Sequence, residues 1–448
     1  MTSDAQPEII ERNGTTYVVD PVDGELEVRY GLPANVTFCS NCVISNQRAA
    51  PSVMGSDRRE ARKATIYFGE DGVCEACRVV ERKDEIDWDK READLRQLLD
   101  RFRSRNGSYD CLVPGSGGKD SAYAAHMLKS KFGMRPLTVT WAPHMYTDIG
   151  WQNFTNWIHQ GGFDNYLFTA NGLVQRKLTE LAYRNLLHPF QPFTLGQRNF
   201  PVKIARQMNI PLVFYGENAA EYGAGKGEDA DSQVPIRYLT GDPNKDYRIG
   251  GLSTDELAEH GISQSDLSPY MPITEDTVRD AGIEAHYLGH FLRWTPQECF
   301  YYAVDHTGFS ANPVRTEGTF SKYNSIDDKI DGFHYWCGFI KFGIGRCTHE
   351  ASQEIRHKHI EREEGVALVH RFDGEFPARY FPQVLEYLNM EEAEFMEIAD
   401  SFPVAASLEE DQRRMATAPP RRLIKPAARS TDPTAGRGSC RRRVRVLT

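Results

Sequence analysis

YDCLVPGSGGKDSAYAAHMLKSKF, residues 109–132, places three different signals side by side. Tyr109 to Pro114 is a short apolar run of strand type, and Asp120 to Phe132 carries a helical pattern with Ala122, Tyr123, Ala125, His126 and Met127 on or near one face. Between them stand Ser116-Gly117-Gly118-Lys119-Asp120-Ser121. Two adjacent glycines let the backbone turn several N–H groups toward one anion. The start of the following helix adds its partial positive charge. Ser116 and Ser121 offer hydroxyls, Lys119 a full charge, and Asp120 a carboxylate suited to Mg²⁺. A Walker A loop needs Ser or Thr directly after its Lys, and Asp120 stands there instead.

From this segment to Tyr215 strand-like and helix-like stretches alternate. Pro136–Trp141 (PLTVTW), Asn165–Thr169 and Pro211–Tyr215 (PLVFY) read as strands; Trp151–Gly161, Leu173–Leu187 and Val202–Met208 read as helices. This interval predicts parallel βαβ units in a doubly wound α/β sheet, whose ligands sit beyond the C-terminal strand ends. Glu217 and Asn218, just after one such strand, are placed to orient substrate or Mg²⁺, or equally to make a turn. Trp141 and His144 follow another and suit contact with an adenine, or equally a packed Trp and a surface His. Residues 225–285 are rich in Gly, Pro, Asp and Ser, which predicts short helices or a lid. His286–Leu292 reads as a last strand, and Thr295-Pro296 as a capped helix start. From there to about Phe402 the pattern is mostly helical.

Upstream, Cys39-Ser40-Asn41-Cys42 and Cys74-Glu75-Ala76-Cys77 form two C-x₂-C pairs. That spacing suits two knuckles closing one tetrahedral structural Zn²⁺ site; an iron–sulfur cluster has compatible spacing, and two disulfides would need an oxidising compartment. A helix from about Lys90 links this module to the α/β region. Residues 327–356 collect Asp327, Asp328, His334, Lys341, Arg346 and Arg356 among glycines, a set that suits a phosphorylated ligand or a solvated helix face. The expected organisation is a zinc-binding module with its linker helix over 1–107, the α/β domain over 108–292, a helical substrate region over 293–411, and a tail over 412–448.

The chain has 448 residues and a formal charge of −10. Its last 37 residues hold eleven Lys/Arg against one acid, so the tail is +10 and the rest −20. The tail's Pro, Ala, Arg, Ser and Thr composition predicts disorder. An acidic body argues against a long groove for nucleic acid. No apolar run approaches twenty residues and no secretory pattern opens the chain, so a cytoplasmic protein without a membrane span is expected.

SGGKDS after a strand resembles the PP-loop of the N-type ATP pyrophosphatases, which cleave ATP to AMP and pyrophosphate. Five further stretches, FCSNCVISNQR, HPFQPFTLGQRNFPVKIA, GENAAEYG, DGFHYWCGFIKFGIGR and REEGVALV, together resemble the N-acetyl sugar amidotransferases of bacterial O-antigen, lipopolysaccharide and nonulosonic-acid biosynthesis. That resemblance implies ATP bound by Ser116, Gly117, Gly118, Lys119, Asp120 and Ser121, and zinc bound by Cys39, Cys42, Cys74 and Cys77. It implies an acetamido group of a nucleotide-activated sugar converted to an acetamidine through an adenylated imidate. His334, Lys341 and Arg346 are the expected sugar-side contacts; Lys119, Asp120, Glu217 and Asn218 the catalytic set. A glutaminase nucleophile is not expected: Thr2 follows Met1, and no cysteine lies in a Gly-x-Cys-x-Gly turn. The family implies ammonia from a separate glutaminase with a cyclase-like subunit. PP-loop tRNA 2-thiolation enzymes, some with C-x₂-C modules, are the alternative, with Cys299, Cys337 and Cys347 as their candidate thiols.

Overall fold

The computed structural model describes residues 8–12, 15–19, 31–33, 36–48, 65–217, 219–223, 232–242 and 247–402. Asn218 and the basic tail lie outside the described residues. The chain begins with a small antiparallel sheet of β1 (Glu8–Arg12), β2 (Thr15–Val19) and β3 (Phe68–Gly69), in which Ile9 pairs with Val18 and Val18 with Phe68. Helices α1 (Glu75–Arg82) and α2 (Trp88–Phe102) follow. Asp87 caps α2 by accepting from the Lys90 N–H at 3.0 Å, which sets its start.

The α/β body runs β4 (Cys111–Pro114), α3 (Lys119–Ser130), β5 (Pro136–Trp141), α4 (Asp148–His159), β6 (Asp164–Phe168), α5 (Gly172–Leu186), α6 (Gln191–Gln207) and β7 (Leu212–Tyr215). Short helices α7 (Ile236–Leu239), α8 (Thr254–Glu259), α9 (Gln264–Leu267) and α10 (Glu275–Asp280) lead to β8 (Glu284–Tyr287), which ends in the single turn α11 (Leu288–Phe291). The predicted last strand is therefore displaced: only its first two residues belong to β8. Helix α6 begins well before Val202, because Pro192 sits in its first turn and Pro201 and Gly196 are tolerated inside it.

All five strands are parallel, in the order β6-β5-β4-β7-β8. The chain starts at the centre, winds to one edge, then crosses back, so the C-terminal end of β4 opens on the crevice where such sheets bind ligands. Every residue of β5 is buried, as its β-branched run requires for a strand covered on both faces. Alternation along β4 divides the core: Leu112 packs with Leu178, Leu195 and Val202 from α5 and α6 on one face. Cys111 and Val113 pack on the other with Leu99, Ala125, Trp157 and Ala303.

Helix α12 (Pro296–Thr307) thus belongs to the core of the α/β body, lying along α3. Thr295 Oγ1 caps it, accepting from the Glu298 N–H at 3.2 Å. Helices α13 (Asp331–Phe342), α14 (Arg346–Arg356), α15 (Arg362–Phe372), α16 (Phe381–Leu388) and α17 (Glu392–Asp400) complete the helical region. Phe333, Trp336, Tyr387 and Phe395 pack on Tyr183 and Leu187 of the α5 end. The four N-terminal cysteines share a separate core with Ile344, Ala351 and Ile355. The cysteine module is therefore seated on α14 rather than strung out on a linker.

Candidate active site

The loop between β4 and α3 is held tightly by its glycines and serines. Gly117 takes φ +85°, and a Cβ there would lie 2.8 Å from the Phe154 Cα and 2.9 Å from the Asn153 carbonyl oxygen of α4. Ser121 Oγ donates to the Gly118 carbonyl at 3.0 Å, securing the first turn of α3. The end of β7 closes on the loop through Gly216, whose added Cβ would meet the Asp120 carbonyl oxygen at 2.6 Å. This approach brings Glu217 to the mouth of the cradle.

Lys119 and Asp120 are paired at 2.6 Å, and the Trp294 indole N–H donates to the other Asp120 oxygen at 3.2 Å. Burial alone would lower the Lys119 pKa; the Asp120 and Glu217 carboxylates outweigh it and hold the ammonium charged. Glu217 opens to solvent within a cleft crowded by protein. Desolvation, then the Asp120 charge, push its carboxyl up to about 7, against Lys119, a hydrogen bond from Tyr222 and Arg346. The two acidic groups suit Mg²⁺, which commonly takes one or two carboxylates together with phosphate oxygens.

A second wall comes from the helical region. Asp327 accepts a hydrogen bond from Ser116 of the loop, and burial with the neighbouring Asp328 raises its carboxyl. Arg346, at the start of α14, bonds Glu350 at 2.5 Å and the Tyr335 hydroxyl, and its charge reaches Asp327, Asp331 and Glu217. Burial pushes the Asp331 carboxyl up to about 7, opposed by Arg346 and Ser325. His334 and His349 are kept uncharged by burial; around His334 stand His188, Lys341 and Arg346, and around His349 stand Arg48, Arg346 and Arg356.

Of the expected site residues, Lys119, Asp120, Glu217, Ser116 and Arg346 converge here, and His334 lies half-buried behind Tyr335, their rings 4.9 Å apart. Others take different places. Trp141, an expected adenine contact, is only 4% exposed and packed between Phe168, Tyr270 and Gly196. His144 is fully enclosed, with Nδ1 2.8 Å from Asp328 and its ring against Phe190 and Phe193. Lys341, an expected substrate contact, is buried and donates to the Leu186 carbonyl at 2.7 Å, fastening α13 to α5. Tyr222, Trp294, Tyr335, His349 and Arg48 were not singled out from sequence. Three of the quoted stretches nonetheless end on this cleft: FCSNCVISNQR at Arg48, GENAAEYG near Tyr222, and DGFHYWCGFIKFGIGR at Arg346.

The Sγ atoms of Cys39, Cys42, Cys74 and Cys77 all lie within 4.8 Å of one another and are buried. Cys39–Cys77 and Cys42–Cys74 are 3.9 and 3.8 Å apart, too far for disulfides. A tetrahedron with metal–sulfur bonds of about 2.3 Å has edges of about 3.8 Å, so the donor set fits Zn²⁺. The N–H groups of Asn41, Cys42 and Cys74 point at Cys39 Sγ at 3.2–3.4 Å, and Arg356 reaches Cys42 Sγ at 3.9 Å. These donors stabilise thiolates. Four such ligands would leave a bound Zn²⁺ no open position, which suits a structural centre.

Residues 317–417 match a family model described as the C-terminal domain of WbpG-like LPS biosynthesis proteins. A curated relative, an uncharacterized protein of Methanocaldococcus jannaschii, is 36% identical over 52 residues, which cover 12% of this chain and 19% of that protein. Among solved structures, an NH3-dependent NAD synthetase from Campylobacter jejuni is 16% identical with a TM-score of 0.25, covering 32% of this chain and 64% of that one. An NMN synthetase from Francisella tularensis is 16% identical, TM-score 0.22, covering 44% and 93% respectively. A predicted subunit of tRNA methyltransferase from Methanocaldococcus jannaschii is 15% identical, TM-score 0.23, covering 49% and 83%.

Proposed function

We propose that this chain, a PP-loop α/β body joined to a WbpG-like C-terminal domain of the lipopolysaccharide-biosynthesis type, is an ATP-dependent amidotransferase acting on a nucleotide-activated acetamido sugar. The observation that carries it is the convergence of the SGGKDS cradle with Glu217 and the C-terminal residues Asp327, Asp331 and Arg346 on one cleft.

In this reading the loop amides, Lys119 and the α3 N-terminus hold the pyrophosphate end of ATP. Asp120 would hold Mg²⁺, which when bound neutralises charge on the polyphosphate and leaves Glu217 free of the metal. The acetamido oxygen attacks the α-phosphorus, the bond to pyrophosphate breaks, and an O-adenylated imidate results. Ammonia then attacks the imidate carbon, AMP leaves carrying the former amide oxygen, and the acetamidine remains. Activation is needed because an amide oxygen is a poor leaving group and AMP a far better one. Glu217, with its carboxyl near neutrality, is suited to take a proton from the incoming nitrogen. Ammonia comes from a separate glutaminase and cyclase-like subunit.

The thiolation alternative needs a reactive thiol beside the loop or a bound cluster, together with a basic face for RNA, which the acidic body does not favour. Cys299, Cys337 and Cys347 are at most 1% exposed. Burial raises all three, Cys337 to about 12, so none is a thiolate at neutral pH. The test is an oxygen label: ¹⁸O in the acetamido carbonyl of the sugar nucleotide should appear in AMP when ATP and ammonia are supplied, and Lys119→Ala should abolish pyrophosphate release. Unlabelled AMP, or thiouridine formed in tRNA with no amidine product, would sink the proposal.

A further inference from the structure

We infer that Arg48, carried by the four-cysteine module, is the receptor for an anionic phosphate group on the acceptor, at the end of the cleft away from the ATP loop. The inference rests on the proposed reading of the site and names which part of the acceptor meets the N-terminal module.

The backbone at Arg48 is fixed on both sides. Its N–H donates to Ser45 at 3.2 Å, and its carbonyl accepts from Ile66 at 3.1 Å. The preceding Gln47 side chain donates to the Pro33 carbonyl at 2.9 Å. The guanidinium projects from this turn onto α14, where Nη1 lies 3.4 Å from His349 Nδ1, and it stands 5.8 Å from the centre of the Tyr222 ring. Among the described residues no carboxylate pairs with it. The like charge that acts on it most is Arg356, whose contacts are the Cys42 sulfur and the Glu221 carbonyl.

Arg48 is therefore a half-buried cation beside a neutral imidazole and a second guanidinium. Burial, then Arg356, lower its pKa to about 10, which leaves it charged at neutral pH. A desolvated charge without a counter-ion is costly, and a bound anion removes that cost. Arg346 and Arg315, by contrast, are paired with carboxylates, Glu350 and Glu375.

The direction of the site follows from Tyr222. Its hydroxyl bonds Glu217 on the loop side, whereas Arg48 stands over its ring. The groups that act on Arg48 are Arg356, Tyr222, Cys74 and Tyr335, with no residue of the SGGKDS loop among the principal ones. The ATP phosphates already have the loop and Lys119. A ligand with its acetamido group at Glu217 and a phosphate at Arg48 spans Tyr222, with a sugar ring between the two ends. An arginine fork suits that phosphate.

The test uses the full chain with its metal, saturated with α,β-methylene-ATP so that the loop is filled, and titrated calorimetrically with UDP and with uridine. Wild type should bind UDP more tightly than uridine. Arg48→Gln should weaken UDP about ten- to a hundredfold, with uridine, the ATP analogue and zinc content unchanged. Arg48→Lys should retain part of the UDP affinity. Equal UDP affinity in wild type and R48Q, no UDP binding by wild type, or parallel loss of nucleotide analogue and zinc would overturn the inference. Loss of UDP binding in R48Q from a wild type that forms no ¹⁸O-labelled AMP would keep the phosphate receptor and discard the amidotransferase reading.

Discussion

The two glycines of the loop should respond in opposite ways to the same added methyl group. At Gly117 the backbone is left-handed, which costs an alanine about 1–2 kcal/mol. The new Cβ also lands 2.8 Å from the Phe154 Cα and 2.9 Å from the Asn153 oxygen, both backbone atoms of α4 that cannot rotate away. Overpacking of this kind costs about 1–3 kcal/mol. Gly117→Ala should therefore lose roughly 2–5 kcal/mol, less if the loop escapes by rearranging, in which case ATP binding goes instead. At Gly118 φ is −65° and the added Cβ meets only Ser116 Oγ at 3.8 Å. Gly118→Ala should cost no more than about 1 kcal/mol, the preference for glycine over alanine at a helix N-cap. Its methyl group stands where the phosphates would, so it should bind ATP poorly while staying folded. Urea denaturation and calorimetric titration with α,β-methylene-ATP separate the two effects. A stable G117A that binds nucleotide normally would refute the strain argument, and a G118A with wild-type affinity would show that the cradle is not where the anion sits.

Three further outcomes are expected. Lys83 and Glu221 are a buried ion pair that fixes the segment after β7, so Lys83→Ala should cost about 3–5 kcal/mol in urea unfolding, whereas Lys83→Met with Glu221→Leu should recover most of it; near-neutral K83A would show the pair is dispensable. Glu217 has its folded pKa near 7, above its unfolded value, so the folded state holds the proton more tightly and the carboxylate appears as pH rises; with free ammonia held constant, acetamidine formation should rise about tenfold from pH 6 to pH 8, and Glu217→Gln should be slow and flat, an unchanged profile in E217Q removing the carboxylate from the proton transfer. Metal analysis should find about one zinc per chain, lost in Cys42→Ser together with thermal stability of the module; an iron–sulfur absorbance band would contradict the assignment.

The parts of the fold visible in the sequence are those fixed by local rules. PLTVTW reads as a strand and is one covered on both faces, Thr295-Pro296 fixes a helix start, and Gly117 marks the loop because its left-handed backbone and its closeness to α4 exclude a side chain. Helix α6 was half hidden, since Pro192, Gly196 and Pro201 argue against a helix unless one knows that Gly196 admits the Trp141 ring. The same contact takes Trp141 out of the site. Its position at the C-terminal end of a strand is a ligand position, but the residues that enclose it lie 27 to 129 positions onward, beyond any local pattern. His144 is claimed by Asp328 in the same way. Lys341 and Arg346 look alike in sequence. Only packing separates the one that fastens α13 from the one that faces the cleft.

The core beneath the four cysteines has a consequence for biosynthesis. Cys39 to Cys77 leave the ribosome early, yet their hydrophobic neighbours Ile344, Ala351 and Ile355 are made some 270 residues after Cys77. Whatever metal the thiolates have gathered by then, the apolar side of the module stays wet until α14 arrives. Contacts of such sequence separation form late. A ribosome stalled before residue 344 therefore presents a knuckle that is closed by its metal but lacks its α14 seat, a state that a chaperone would recognise by its uncovered Ile44.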